Sequence, residues 1–153
     1  MHSVPYTSPS SVFMYSKILV TLDTTDSDQA ILKHIRGLAR LTGARLVLLH
    51  VADGWAARLH GEDAVSPEIT ADREYLARVE SELASEGFEV ESHLAFGDPV
   101  TEIVKWVEEK GCDLIAMSTH GHRLLADLLL GTTASRVQHQ VNVPVLMLRA
   151  KKG

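Results

Sequence analysis

The sequence predicts an α/β protein: a single-domain, open, five-stranded parallel sheet with four helices packed on its two faces. Three observations carry this. Five short apolar runs alternate with four stretches of helical period, the order that parallel strands joined by crossover helices require. The runs are apolar throughout rather than alternating, as expected for strands covered on both faces. The chain has 153 residues, 45% hydrophobic and 23% charged, which is enough for one core and excludes wholesale disorder.

Residues 1–16 (MHSVPYTSPSSVFMYS) carry two prolines, no basic residue but His2, and no apolar stretch longer than Val12 to Tyr15. They are expected to form a mobile tail ahead of a domain spanning 17–150, not a signal peptide or a membrane span. Met14 is an alternative start that the sequence leaves open. The first strand is Lys17 to Leu22. A polar turn, Asp23-Thr24-Thr25-Asp26-Ser27-Asp28, is rich in helix-capping residues. The following helix sets Ile31, Ile35, Leu38 and Leu41 on one face and stops at Gly43. Leu46 to Val51 is the second strand. Residues 52–68 read as an irregular loop, and the next helix carries Leu76, Val79 and Leu83 as far as Gly87. Residues 88–95 alternate (Phe88, Val90, Leu94), the mark of a strand nearer the sheet edge. Asp98-Pro99 opens a helix with Asp98 as N-cap and proline at the first helical position. Its apolar face is Val100, Ile103, Val104 and Val107, and Gly111 ends it. Leu114 to Met117, a glycine-bearing loop, a helix near 132–141 and a strand Val145 to Leu148 complete the domain.

Charge and cysteine content narrow the function. Lys+Arg 15 against Asp+Glu 20 gives −5, the wrong sign for a general binder of nucleic acid or of anionic membranes. One cysteine, Cys112, allows no internal disulfide and no cysteine-built zinc site, and fits a reducing cytoplasm.

Open α/β sheets bind ligands beyond the carboxyl ends of their strands, where the strand order reverses. Those ends are Asp23, Val51 and the stretch Met117-Ser118-Thr119-His120-Gly121. Nine residues after Gly121 come Gly131-Thr132-Thr133 at a helix start. Glycine admits close backbone approach, and the helix's free amides favour an anion by about 0.3–1 kcal/mol, up to about 2 when partly buried. The threonine hydroxyls, His120, His122 and Arg123 add donors. This is a phosphate cradle in outline, although the G-x-x-x-x-G-K-[ST] loop is absent.

Lys17 to Asp23, Leu48-Leu49-His50-Val51, Gly97-Asp98-Pro99 with Ile103, and Asp113 to Leu148 together resemble the universal stress protein family over residues 17–149. The most specific stretch is Ser118-x-x-Gly121-x9-Gly131-Thr132, then Val143-Pro144-Val145-Leu146. The resemblance implies a doubly wound sheet of order 3-2-1-4-5 and ATP as ligand, with Mg or Mn as its divalent ion. It implies that Thr21, Leu22, Val51 and Met117 line the adenine and ribose region, and that Asp23 serves the ribose or the metal-phosphate end. Gly121, Gly131, Thr132 and Thr133 would hold the phosphates, with Ser118 and His120 also within the nucleotide-binding set. It also implies a homodimer through the last strand, 143–149, and a cytoplasmic regulatory role in stress response, with no catalytic residue assigned.

Two positions depart from the nucleotide-binding pattern. Ser118 stands where that subgroup has glycine. A left-handed φ there would cost a serine roughly 1–2 kcal/mol, whereas a negative φ would cost little. Thr21 stands where several members have proline. Two other functions therefore stay open: a member that lacks nucleotide binding and works through dimer-mediated protein contacts, and a weak ATP hydrolase using Asp23 or His120.

Plainer readings stand beside these. Asp23 can cap the turn into the first helix. His50, in a buried strand, reads as a hydrogen-bonded core histidine, and His34, His60, His93 and His139 as structural or solvated. Adjacent His120 and His122 without a carboxylate or cysteine partner are weak support for a metal, whose site stays unknown. Cys112 reads as an inert thiol. No G-x-S-x-G elbow surrounds Ser118. Leu124 to Leu130 reads as a segment folded over the phosphate loop or as a partner-binding patch.

Overall fold

The computed structural model describes residues 14–52, 66–118 and 132–149. The chain runs β1 (Lys17–Thr21), α1 (Asp28–Thr42), β2 (Arg45–Ala52), α2 (Pro67–Ser85), β3 (Val90–Phe96), α3 (Pro99–Lys110), β4 (Leu114–Ser118), α4 (Thr132–Gln140) and β5 (Val145–Leu148). The sheet is all parallel, in the order β3-β2-β1-β4-β5, as expected. The chain builds outward from β1 to β3, then crosses back to β4 on the other side of β1. The reversal point therefore lies between β1 and β4.

Strand periodicity divides the core into two layers. Ile18, Val20, Leu22, Leu46 and Leu48 face α1 and α2, packing with Ile31, Ile35, Leu76, Val79 and Leu83. Leu19, Val47, Leu49, Ile115 and Met117 face α3 and α4, packing with Val100, Ile103, Val107, Ala134 and Val137. Both faces are apolar because both are covered, which is why the strand runs do not alternate. Each fully buried aliphatic side chain contributes roughly 1.5–3 kcal/mol of transfer free energy.

Leu41 and the start of α2 depart from expectation. Leu41 is 87% exposed rather than part of the buried face of α1, which is Ile31, Leu32, Ile35 and Ala39. At about 100° per residue, Leu41 falls roughly 135° from the centre of that stripe. α2 begins at Pro67, inside the stretch read as irregular. Ser66 is its N-cap, accepting from the Ile69 amide at 3.1 Å, with proline in the first turn. That earlier start adds Ile69 and Asp72 to the buried face.

Of the expected N-terminal tail, residues 1–13 lie outside the described residues. Tyr15 packs against the core, and Ser16 donates from its amide and its hydroxyl to Asp113 Oδ2 at 2.8 and 3.0 Å. The Lys17 amide donates to the other carboxylate oxygen at 3.1 Å, tying the entry of β1 to that of β4. Among the described residues, no helix is long and apolar enough to cross a membrane.

Candidate functional site

Strand register brings the expected residues to one end of the sheet. Thr21 is level with Leu49 on β2, and Val20 with Ala116 on β4. β2 runs on to Ala52 and β4 to Ser118, so Asp23, Val51 and Ser118 all stand at the carboxyl ends of neighbouring parallel strands. The Thr21 hydroxyl reaches the Ala116 carbonyl at 3.5 Å. Thr21, Asp23, Val51 and Ser118 are half-buried, while Leu22 and Met117 are buried in opposite core layers. α4 starts at Thr132, and its Ala134 and Val137 pack in the same core layer as Met117. Its first turn holds no acidic residue, and Thr133 is exposed. His120, Gly121 and Gly131 lie outside the described residues, as do His60, His122 and the 124–130 segment.

Ser118 ends β4 opposite Leu148. Among the described residues only Thr24 combines a side chain with a positive φ, so Ser118 sits in ordinary extended backbone. Serine in place of glycine therefore costs no backbone strain at this position.

The turn after β1 is held by residues that sequence reasoning did not single out. Asp28, fully buried at the start of α1, accepts from the Asp23 amide at 2.8 Å through Oδ1. Through Oδ2 it accepts from the Thr24 amide at 2.9 Å and the Tyr75 hydroxyl at 2.8 Å. Ser27 occupies the N-cap position of α1 without a side-chain cap bond, so Asp28 gathers the turn's amides instead. Burial pushes the Asp28 carboxyl above its ordinary range, while the Asp23 amide, the Tyr75 hydroxyl and the Thr24 amide pull the other way. The Tyr75 hydroxyl is also held high, by burial and then by the charge of Asp28.

A second carboxylate, Asp72 of α2, is 7% exposed and accepts from the Thr24 hydroxyl at 2.9 Å. Its other oxygen lies 3.4 Å from His50 Nε2. His50 Nδ1 is 2.7 Å from the Leu22 carbonyl, which can only accept, so Nδ1 carries the hydrogen. His50 is thus the hydrogen-bonded core histidine that the sequence suggested. Asp72 carried a legible signal: it stands at a buried-stripe position between Ile69 and Leu76. A carboxylate on an apolar stripe calls for a polar partner. Asp28 gave no such signal, since an acid in the first turn of a helix is ordinary.

Elsewhere, Cys112 is buried, and burial raises its thiol to about 11, consistent with an unreactive side chain. Among the described residues, no three His, Cys, Asp or Glu side chains are grouped to hold a metal.

The universal stress protein family model matches residues 14–149. The chain belongs to the universal stress protein family. Universal stress protein MJ0577 of Methanocaldococcus jannaschii is 29% identical over 159 residues, covering 92% of this chain and 98% of that protein. A solved structure of MJ0577 superposes with a TM-score of 0.75 at 32% identity, covering 92% of this chain and 99% of the other. A universal stress protein from Archaeoglobus fulgidus, solved in complex with dAMP, is 25% identical with a TM-score of 0.64. It covers 88% of this chain and 98% of its own. Family membership accounts for the sheet order and for the strand-end location of the candidate residues. It leaves the ligand to be argued from chemistry.

Proposed function

We propose that this family member is a cytoplasmic regulator in stress response. It binds ATP at the carboxyl ends of β1 and β4, with Mg or Mn carried on the phosphates. The observation that carries the reading is the half-open rim at the reversal point. Thr21, Asp23, Val51 and Ser118 are half-buried there at the carboxyl ends of β1, β2 and β4, and the first turn of α4 carries no acidic side chain. Thr21, Leu22, Val51 and Met117 would form the wall for base and sugar, Asp23 would take ribose hydroxyls, and Ser118, Thr132 and Thr133 would face the phosphates with His120, Gly121 and Gly131. A polyphosphate supplies oxygens to its own divalent ion, so the protein needs no three-residue metal site. The dAMP complex of the Archaeoglobus fulgidus relative supports an adenine nucleotide as the ligand class.

The same reading includes a homodimer through 143–149. β5 is an edge strand and Met147 on it is 44% exposed, an edge that pairing with a second copy would cover.

The test is direct. Ligand released from purified protein is identified by mass spectrometry, and stripped protein is titrated with Mg-ATP in a calorimeter. The expected result is an adenine nucleotide and saturable binding. No nucleotide and no heat at millimolar ATP would discard the reading.

A further inference from the structure

Thr24 has φ 61°, a left-handed conformation that a β-branched residue adopts only when its surroundings impose it. Two tethers impose it: the Thr24 amide donates to Asp28 Oδ2 and the Thr24 hydroxyl donates to Asp72 Oδ1, both at 2.9 Å. The preceding amide, Asp23, is fixed by Asp28 Oδ1. Asp72 in turn is placed by α2 and faces His50, whose ring is anchored on the Leu22 carbonyl. Both carboxylates are buried, Asp28 fully and Asp72 nearly so, yet together they set the backbone that carries Asp23. We infer that Asp72 is a positioning residue for the ligand site, acting through Thr24 to hold the Asp23–Thr24 peptide in its left-handed turn. The inference rests on the nucleotide reading above only for its binding readout.

Two substitutions at Thr24 separate tether from strain. Thr24→Val keeps the branched side chain and removes the donated bond, so the turn relaxes toward negative φ. Thr24→Gly removes the bond too, but glycine adopts φ 61° without being held. If the competent turn falls to about a tenth of the population, apparent affinity falls about tenfold. Thr24→Val and Asp72→Ala should therefore weaken Mg-ATP binding about tenfold. Thr24→Gly should stay within about threefold of the parent. Thr24→Gly combined with Asp72→Ala should bind as Thr24→Gly alone does. Asp72→Asn, whose carbonyl still accepts from Thr24 and whose amide can donate to His50 Nε2, should also stay within about threefold.

A role of Asp72 in stability alone would not be rescued by glycine at position 24. Failure of that rescue, or unchanged binding in both Thr24→Val and Asp72→Ala, would overturn the inference. Should Asp72→Ala not fold, the Val and Gly variants at 24 decide it. Amide hydrogen exchange on the nucleotide-free proteins supplies an independent arm. The Asp23 and Thr24 amides should exchange at least tenfold faster in Asp72→Ala and Thr24→Val. In the Gly double variant they should regain the protection of Thr24→Gly. If the parent binds no nucleotide, the functional reading and with it the link to a ligand fall, while this arm still decides whether Asp72 holds the Asp23–Thr24 turn: restored protection upholds that, and unchanged exchange in Asp72→Ala refutes it.

Discussion

Replacing Asp28 by asparagine sets two effects of opposite sign against each other. The carboxylate is fully buried, and burial raises its pKa, so removing its charge relieves a desolvation cost. Against that stand three bonds accepted by two oxygens: Asp23 N at 2.8 Å, Thr24 N at 2.9 Å and Tyr75 Oη at 2.8 Å. Asparagine has one carbonyl. Whichever way its amide is flipped, the NH2 group meets a backbone N–H that was donating. One buried amide is then unsatisfied, at roughly 1–3 kcal/mol, and the remaining bonds lose the help of an ionised acceptor. The acceptor loss wins, and a net destabilisation of roughly 2–3 kcal/mol is expected. For a domain of this size that lowers Tm by about 4–12 °C. Thermal and urea denaturation of Asp28→Asn beside the parent at pH 7 measure it. An unchanged or higher Tm would show that the buried charge, not the amide anchoring, dominates Asp28.

Three further outcomes are expected. Ser118→Gly should change Mg-ATP affinity by less than about twofold, because Ser118 already sits in extended backbone. It should lower stability by about 0.5–1 kcal/mol through strand entropy; a tenfold gain in affinity by calorimetry would contradict this. Met147→Lys on the exposed edge of β5 should convert a dimer to a monomer in sedimentation velocity at micromolar concentration, and a persisting dimer would place the interface elsewhere. Burial pushes the Asp113 carboxyl up, but the Ser16 and Lys17 amides and the Ser16 hydroxyl outweigh it and hold its pKa below the ordinary range. A depressed folded value stabilises the fold above the unfolded pKa near 3.9, and that contribution is lost as pH falls through the folded value. Asp113→Asn should thus be less stable than the parent at pH 7, with the gap closing below about pH 4 in pH-dependent urea titrations.

What could be read in the chain follows from how local each determinant is. Asp98-Pro99 announces α3 because a cap acts within four residues, and Asp98 Oδ2 does accept from the Thr101 amide at 3.0 Å. Gly43 and Gly111 announce helix ends because only their own left-handed φ of 72° and 65° is at stake. Leu41 misled because a four-residue list at helical spacing tolerates angular drift, and the partner layer chooses which edge of the stripe is covered. Ser66-Pro67 was as legible as Asp98-Pro99, but it lay within a stretch whose glycines drew the eye to loop. The strand-end residues were legible because parallel topology puts every strand's carboxyl end on one side. The arrangement of Asp28, Asp72, Tyr75 and His50 was not. Their bonds join β2, α1 and α2 across 22 to 48 positions, and no local pattern encodes which buried acid meets which amide.

That arrangement also bears on how a ligand would lie. The reversal point offers two places where free backbone amides could meet an anion, the turn after β1 and the start of α4. In the first, the successive amides of Asp23 and Thr24 already point at a carboxylate of the chain itself, with Asp23 and Asp26 close by in sequence. A phosphate there would have to displace Asp28 from full burial and would meet like charge. The start of α4 has two threonines, Thr132 and Thr133, and no acid in its first turn. Where one candidate anion site is filled by the protein's own anion and the other has no acid in its helix's first turn, charge would orient a nucleotide. Its phosphates would go toward α4, and its uncharged sugar toward Asp23, whose carboxylate tolerates hydroxyls and repels phosphate. On the proposed reading, the acidic turn after β1 would act on orientation by exclusion, and the positioning of Asp23 by Asp28 and Asp72 would make that exclusion directional.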